Sequence, residues 1–292
     1  MSYRHVCEDY AFKRPAASSG IFSRMTSLCA FATIIVLATV TLAADAPTDY
    51  TLDFTTPTDL KLQEQLTRID ESIRAKFEMT PAHTAVGLLD LSGPSPRLAM
   101  LNPDRETYAA SVPKVGILLG YFALKPEASQ PGKLDPTVRH ELGEMIKISS
   151  NEMASKYSHE LGLKNIQRVL DEYHFYDKDH GGGIWVGKHY GKDAERYPSP
   201  VGDNSHAATV RQLLRYYLLL EQGKLVSPSA SKVMREIFES PDIEHQDNKF
   251  VNGLKGREGL RIIRKSGTWE NWLHDTVVVT GGGRHYVLVA LT

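Results

Sequence analysis

The chain has 292 residues, of which 41% are hydrophobic and 24% are charged, and its formal net charge is -1. This composition is ordinary for a globular protein and is enough for one large or two small units with a sizeable core. No basic face or arm stands out against the balanced charge, so we expect no nucleic-acid partner.

The N-terminus carries the features of an export signal. Residues 28–42 read LCAFATIIVLATVTL, an uncharged apolar run that arginines precede and small residues follow. This order predicts a signal peptide within residues 1–46, with cleavage after Ala43 or Ala46, and an exported protein that is periplasmic or secreted. The alternative is an uncleaved membrane anchor, which is disfavoured because the run is shorter than the ~20 residues that a span needs. Contact with a membrane is expected only in that case.

The hydrophobic pattern predicts three blocks of secondary structure. Apolar residues recur at helical spacing over 59–77, and strand-like runs over 83–91 and 97–101 form a hairpin. A helical block follows, interrupted at 173–206 by an irregular stretch whose length is typical of functional or disordered loops. The predicted helices of this block lie near 112–124, 136–148, 152–162, 164–172, 207–221 and 228–239, and the closing strands lie at 259–265, 275–280 and 285–291.

Strands at both ends of a helical middle predict one antiparallel sheet with the helical block inserted between its two parts. The expected fold class is α+β, an α/β sandwich with an antiparallel sheet plus an inserted all-helical domain. In a single catalytic domain at 47–292, residues 47–110 and 241–292 are expected to form the α/β part, and residues 111–240 the helical part.

Ser111 and Lys114 open the first helix of the middle block. A serine hydroxyl is a poor nucleophile until a base takes its proton, and a lysine three residues later shares its face of a helical turn. Lys114 can act as that base only when neutral, which requires burial or a nearby positive charge such as that of Lys265. The alternative is that Ser111 is only a helix N-cap and Lys114 a solvated helix residue.

Ser149 and Asn151 lie at the junction between two predicted helices. In a functional interpretation, Ser149 relays a proton to a leaving group and Asn151 hydrogen-bonds a substrate amide. Taken alone, the segment is better explained as a cap for a helix that begins at Glu152, because Ser and Asn are favoured N-caps.

Lys265-Ser266-Gly267-Thr268 continues a half-apolar strand. Gly267 allows a ligand backbone to approach the strand closely. Thr268 offers an oxyanion N–H and a hydroxyl for a carboxylate, while Lys265 supplies positive potential. The alternative is an edge strand that carries lysine against aggregation.

Together these three segments resemble the S-x-x-K, S-D-N and K-[ST]-G-T motifs of the serine β-lactamase and penicillin-binding protein superfamily. The resemblance covers about residues 59–292, is closest to class A β-lactamases and related serine hydrolases, and implies a β-lactamase/transpeptidase-like fold with no cofactor. It implies that Ser111 is the acylated nucleophile and Lys114 its general-base partner. The other residues it implicates are Ser149 and Lys265 in catalysis, and Asn151, Ser266, Gly267 and Thr268 in substrate binding.

The sequence departs from class A β-lactamases where they release the acyl group. Those enzymes carry a glutamate in an E-x-x-L-N setting, whereas residues 192–203 contain no glutamate followed by Leu-Asn. Asp193 and Glu195 are the nearest carboxylate candidates for the deacylating base. The alternative for each is a solvated charge on the loop. His206 is a substitute base if it faces the pocket, and is otherwise a surface or capping residue. Ser150 also replaces the aspartate of S-D-N.

These features favour an exported serine hydrolase of the class A β-lactamase type, which hydrolyses the amide of β-lactams through a Ser111 acyl-enzyme. A penicillin-binding D,D-peptidase or esterase with slow deacylation is the alternative. A non-catalytic cell-wall binding module is a third, which the intact Ser111, Lys114 and Lys265 disfavour.

The substrate is accordingly a small β-lactam or a peptidoglycan-like molecule, and we expect a monomer. The histidines do not lie at ligand spacings, so no metal is predicted. Relatives close the sheet with a C-terminal helix, and no residues follow Thr292 to form one. Either the sequence is a fragment or one face of the sheet is partly bare, and we expect reduced stability.

Overall fold

The structure is a computed structural model that describes residues 46–47, 49–192, 195–245 and 249–292. The predicted signal peptide, apart from Ala46, lies outside the described residues, and so does Asp193. In the part of the chain that is described, no helix combines the length and the hydrophobicity that crossing a membrane requires.

Helices and strands follow the order that the hydrophobic pattern predicts, with strands early and late and helices between them. The strands are β1 (Ala85–Asp90), β2 (Arg97–Leu101), β3 (Thr107–Tyr108), β4 (Tyr176–Asp177), β5 (Gly182–Gly183), β6 (Trp185–Val186), β7 (His206–Ala208), β8 (Arg261–Trp269), β9 (Trp272–Gly281) and β10 (Arg284–Leu291). The helices are α1 (Leu60–Lys76), α2 (Lys114–Leu124), α3 (Pro136–Lys147), α4 (Asn151–Leu161), α5 (Leu163–Glu172), α6 (Val210–Glu221), α7 (Pro228–Glu239) and α8 (Lys249–Asn252).

The early hairpin and the late strands form one five-stranded sheet in the order β2-β1-β10-β9-β8. β1 pairs antiparallel with β10, from Ala85 opposite Leu291 to Asp90 opposite Tyr286. The predicted α+β class with an antiparallel sheet is confirmed. Because β8 forms one edge of this sheet, its 265–268 segment is available to face the helical block.

Helices cover both faces of the sheet. On one face, Leu62 and Leu66 of α1 pack against Ala99 of β2. On the other face α6 crosses β1 so closely that a Cβ at Gly87 would lie 2.4 Å from a methyl carbon of Val210. The absence of a side chain at Gly87 therefore sets the distance between the sheet and the first helix layer.

Helix α2 lies at the centre of the helical block and is apolar on every side, as a fully buried helix should be. Val115, Ile117 and Phe122 are each 0% exposed. Burial of a side chain of this kind contributes roughly 1.5–3 kcal/mol. Since the helix begins at Lys114, the same packing carries the Lys114 side chain into the interior.

The structure differs from the prediction at the start of α6. A helix was predicted from residue 207, but His206–Ala208 forms the short strand β7, which pairs with β3. The helix begins only at Val210, where the Thr209 hydroxyl accepts a hydrogen bond from the Gln212 N–H at 3.4 Å. Such a threonine N-cap ends the extended segment. As a result, His206 lies on a strand beside the segment that leads to Ser111.

Candidate active site

Ser111 lies in a tight turn that immediately precedes α2. Ala110 before it has a φ of 48°, a left-handed conformation that costs a non-glycine residue roughly 1–2 kcal/mol. The Lys114 N–H donates to the Ser111 carbonyl at 3.3 Å. The helix N-cap is Pro113, without a side-chain cap, so the Ser111 hydroxyl is not used as a cap. Within the described residues it makes no hydrogen bond, and it lines a pocket.

The side chain of Lys114 is fully buried, with 0% of its surface exposed. Its Nζ lies 2.6 Å from the Ser149 carbonyl oxygen, 2.8 Å from Asn151 Oδ1 and 3.2 Å from Ser149 Oγ. Burial lowers the pKa of Lys114 from 10.5 to about 7, because it penalises the charged form. A neutral amine fits these contacts: two N–H groups donate to the two carbonyl oxygens, and the lone pair is left for a hydroxyl.

Within the 149–151 segment, one serine caps a helix and its neighbours contact Lys114. Ser149 has a φ of 59°, and this left-handed residue ends α3 and turns its carbonyl and hydroxyl towards Lys114. Ser150 is the N-cap of α4, and its hydroxyl accepts a hydrogen bond from the Met153 N–H at 3.2 Å. The capping role that the sequence favoured thus belongs to Ser150, and the helix begins at Asn151 instead of Glu152. The side chains of Ser149 and Asn151 are left for the buried lysine.

Ser150→Ala and Ser149→Ala should therefore separate stability from chemistry. Loss of the Ser150 cap should lower the free energy of unfolding by about 1 kcal/mol and leave acylation unchanged. Loss of the Ser149 hydroxyl should lower the acylation rate by about 10²–10⁴-fold, because a proton relay is removed. Urea denaturation and the rate of adduct formation with a penicillin measure the two effects. Equal acylation rates in both variants would contradict this division.

Lys265 approaches the same hydroxyl from the sheet. It is 1% exposed, and its Nζ donates to Ser149 Oγ at 2.8 Å and to the Ser266 carbonyl at 2.7 Å. Burial, and after it the charge of Lys114, lowers the pKa of Lys265 well below 10.5. Ser149 Oγ therefore lies between two buried lysines and can pass a proton from one to the other. Burial, one of the two causes predicted for a lowered pKa of Lys114, is thus present.

Gly267 allows β8 to approach the turn that holds Ser111. A Cβ at Gly267 would lie 2.6 Å from the Ala109 carbonyl oxygen and 3.1 Å from the Ser111 nitrogen. The close approach predicted for a ligand backbone is thus made by the protein's own chain. Within the described residues the Ser111 N–H makes no hydrogen bond, so it is a free donor at the place where an oxyanion would develop. Thr268 follows on the same strand and lines the same pocket.

Gly267→Ala should consequently push β8 away from Ser111. We expect the acylation rate to fall by about 10²-fold, because a displacement of about 1 Å at a reacting centre has effects of this size. Gly93→Ala is the matched control, since a Cβ there would meet only Ser95 O at 3.7 Å. Both rates are measured by mass spectrometry of the adduct. An unchanged rate in Gly267→Ala would show that the contact does not constrain the site.

The three predicted segments converge on two adjoining pockets. The larger has a volume of about 600 Å³, and the smaller, about 240 Å³, lies between α3 and β8. Ser111, Asn151 and Thr268 line both pockets. The larger is further lined by Tyr108, Ala110, Lys188, His189, Tyr190, Gly191, Lys192, Ser205, His206 and Trp269, and the smaller by Lys147, Ile148, Ser149 and Ser266.

Comparison with known proteins identifies the family. A family model described as the Beta-lactamase enzyme family matches residues 124–292, more than half of the chain. The chain belongs to the β-lactamase enzyme family. The matched part contains the Ser149–Asn151 and Lys265–Thr268 segments and begins after Lys114. The predicted membership of the serine β-lactamase and penicillin-binding protein superfamily is confirmed. A search of curated proteins gives no match to this sequence.

Solved structures of similar fold include both β-lactamases and a penicillin-binding protein. A β-lactamase from Sphaerobacter thermophilus is similar with a TM-score of 0.60 and 15% identity, over 77% of this chain and 87% of that chain. For a β-lactamase from Chitinophaga pinensis the TM-score is 0.57 and the identity 13%, over 77% of this chain and 90% of that chain. For the protein PBP-A the TM-score is 0.57 and the identity 18%, over 82% of this chain and 89% of that chain. At these identities the likeness establishes the fold of this β-lactamase family member and nothing finer.

Of the three predicted candidates for a deacylating base in this family member, one lines the pocket that contains Ser111, one does not, and one lies outside the described residues. His206 lines the larger pocket, but its Nε2 lies 2.9 Å from the Lys188 carbonyl oxygen, and burial lowers its pKa to about 4. It is therefore a neutral imidazole and a weak base. Glu195 is exposed, accepts a hydrogen bond from the Tyr197 hydroxyl at 2.7 Å, and lines neither pocket that contains Ser111. Asp193 lies outside the described residues.

Three residues that line the pocket of this β-lactamase family member were missed by sequence reasoning. Lys188, Tyr190 and Lys192 come from the irregular stretch and line the pocket beside Ser111. Their spacing carries no signal, because the stretch folds through tertiary contacts alone, and only its unusual length marked it as functional. Within the described residues no group of three or more metal-ligating side chains is found.

Proposed function

We propose that this protein is an exported serine hydrolase of the class A β-lactamase type, which opens the amide of a β-lactam by forming an acyl-enzyme at Ser111. The observation that carries the proposal is the convergence of Lys114 and Lys265 on Ser149 Oγ, at 3.2 Å and 2.8 Å, beside a pocket that contains Ser111. This arrangement supplies a nucleophile, a base and a proton path in one place.

The proposed acylation step begins when the Ser111 hydroxyl, which makes no hydrogen bond within the described residues, meets the amine of Lys114 three residues later in the chain. Neutral Lys114 takes the Ser111 hydroxyl proton as the oxygen attacks the β-lactam carbonyl carbon. The N–H groups of Ser111 and Thr268 are suited to hold the oxyanion that forms. When the tetrahedral intermediate collapses, the ring nitrogen leaves and takes the Ser149 hydroxyl proton, which Lys114 replaces. The product is an ester of Ser111, and both lysines end the step with the protonation that they had before it.

The charge of the pocket supports an anionic substrate. Lys147, Lys188 and Lys192 line the two pockets, with Lys265 behind them, and no Asp or Glu is found among the described lining residues. On the edge of β8, the Thr268 hydroxyl accepts a hydrogen bond from Lys249 at 2.8 Å. A β-lactam carboxylate or the terminal carboxylate of a peptidoglycan-like peptide fits this potential.

A penicillin-binding D,D-peptidase with slow deacylation is the second candidate. The observation in its favour is the same absence of a carboxylate among the described lining residues, since a water that attacks the acyl-enzyme needs a base. His206, with a pKa of about 4, is a poor substitute. The two candidates share acylation and differ in the lifetime of the adduct.

Intact-mass measurement after mixing with a penicillin tests both candidates, with Ser111→Ala as the control. An adduct on the wild type that is absent from Ser111→Ala supports acylation at Ser111. Rapid return to the free mass with consumption of the drug would support a β-lactamase, whereas a persistent adduct would support the penicillin-binding alternative. If no adduct forms and no drug is consumed, acylation by penicillins is refuted.

Export remains part of the proposal and rests on the signal-like sequence of residues 1–46. Ala46 is 2% exposed and belongs to the hydrophobic core, and the Pro47 carbonyl accepts a hydrogen bond from Gln222 at 2.6 Å. Cleavage after Ala43 keeps the buried Ala46, whereas cleavage after Ala46 would remove it. N-terminal sequencing of the protein recovered from a periplasmic or extracellular fraction should therefore begin at Ala44.

A further inference from the structure

Tyr190 has no role in the chemistry described above, yet it contacts three parts of the active site. Its ring centroid lies 4.5 Å from Lys114 Nζ, and its ring stacks on His206 with centroids 4.2 Å apart. Its hydroxyl donates to the Ala110 carbonyl at 3.2 Å. We propose that Tyr190 is a positioning residue, whose ring closes Lys114 off from water and whose hydroxyl holds the Ala110 peptide that sets the direction of Ser111.

The role of the ring follows from the surroundings of the Lys114 amine. Two oxygens of Ser149 and one of Asn151 surround Nζ on the side of α3 and α4. The Tyr190 ring faces Nζ from the loop between β6 and β7, and this loop borders the open pocket. Removal of the ring would therefore open the amine towards solvent on the pocket side.

The role of the hydroxyl follows from the backbone before Ser111. Ala110 is held at a φ of 48°, a conformation that persists only where surrounding contacts impose it. The Tyr190 hydroxyl provides one such contact, and the hydrogen bond from the Ala109 N–H to the His206 carbonyl at 2.9 Å provides another. Burial raises the pKa of Tyr190 well above 10.0, so its hydroxyl keeps the proton that it donates.

Two other ionisable groups, Lys265 and His206, lie near Lys114. Lys265 reaches it through Ser149 Oγ from β8. His206 lies behind the Tyr190 ring on β7, and burial keeps it neutral with a pKa of about 4. Tyr190→Phe keeps the ring over both Lys114 and His206, so it controls for the surroundings of these groups. A change in the titration of Lys114 that occurs in Tyr190→Ala and not in Tyr190→Phe would therefore report the loss of the ring.

Tyr190→Ala and Tyr190→Phe separate the two roles. In Tyr190→Ala, water reaches Lys114, and we expect the midpoint of the rising pH profile of acylation to move up by about one unit. At pH 7 this change alone leaves about one fifth as much neutral amine. In Tyr190→Phe we expect an unchanged midpoint and a plateau rate about fivefold lower, since a single hydrogen bond is lost. Tyr197→Ala, on the same loop but outside the lining of both pockets, is the matched control and should keep the wild-type profile.

The acylation profile rests on the proposed function, so a second measurement is made without substrate. The ¹³Cε resonance of Lys114, assigned by its loss in Lys114→Met, is titrated in the wild type, Tyr190→Phe and Tyr190→Ala. A midpoint that rises only in Tyr190→Ala supports the proposal even if no penicillin reacts. Equal midpoints in all three proteins, or an equal rise in Tyr190→Phe, would overturn the role of the ring. An undiminished plateau rate in Tyr190→Phe would overturn that of the hydroxyl.

Discussion

Lys114→Met should reduce the rate at which a penicillin acylates the protein by about 10²–10⁴-fold, the effect expected when a general base is removed. Methionine has a similar length and suits a buried site, so the fold should survive. The Lys114 side chain is 0% exposed and burial lowers its pKa to about 7. The amine is protonated and inactive below that value, and neutral and active above it. The wild-type rate should therefore rise as the pH passes through about 7.

Lys114→Met should abolish this rise as well as lower the rate. Lys164→Met is the matched control, because Lys164 is an exposed lysine of α5 that lines neither pocket with Ser111. Its rate and pH profile should equal those of the wild type. Adduct formation, followed by intact mass between pH 5 and 9, measures both properties. A normal pH profile in Lys114→Met would show that another group is the base.

Asp275→Ala should lower the free energy of unfolding by about 3–5 kcal/mol, because it breaks a buried ion pair by removing one of its partners. The side chains of Arg264 and Asp275 are 1% and 2% exposed, and Arg264 Nε lies 2.8 Å and 2.9 Å from the two carboxylate oxygens. The carboxylate also accepts from the Phe250 N–H at 2.9 Å. Burial raises the pKa of Asp275, although its hydrogen bond and ion pair with Arg264 oppose the shift.

The Glu239–Arg261 pair provides the control for this prediction. It joins α7 to the same strand as Arg264, but its side chains are 34% and 41% exposed. Solvent screens such a pair, so Glu239→Ala should change stability by less than about 1 kcal/mol. Urea denaturation with a common slope gives both values. Similar losses in the two variants would mean that the buried pair is no stronger than a surface pair.

The partner of Asp275 and the active-site lysine of the sheet are neighbouring residues on one strand. Arg264 and Lys265 are consecutive on β8 and both are about 1% exposed. A strand directs consecutive side chains to opposite faces, so Arg264 meets the carboxylate of β9 while Lys265 meets Ser149 of the helical block. The ion pair thus holds the strand in the register that places Lys265 in the active site.

The sequence by itself determined the periodic elements, the fold class and the family. Helices α2 to α5 and α7 begin and end within about two residues of their predicted limits, because capping residues and 3.6-residue periodicity act locally. The three motifs carried the family resemblance for a similar reason, since their chemistry needs particular residue types at particular spacings. In these segments the local preferences agree with the final fold.

Only the tertiary structure decided what each side chain of the site contacts. Ser149 and Ser150 are adjacent and chemically identical, and the left-handed backbone at Ser149 alone assigns one to the lysines and the other to the helix cap. The positions of Tyr190 and His206 beside Lys114 and Ser111 depend on the pairing of β3 with β7 and on an irregular loop. The pKa of Lys114 depends on burial by residues distant in the sequence. Contacts of this kind join segments far apart along the chain, and no local preference encodes them.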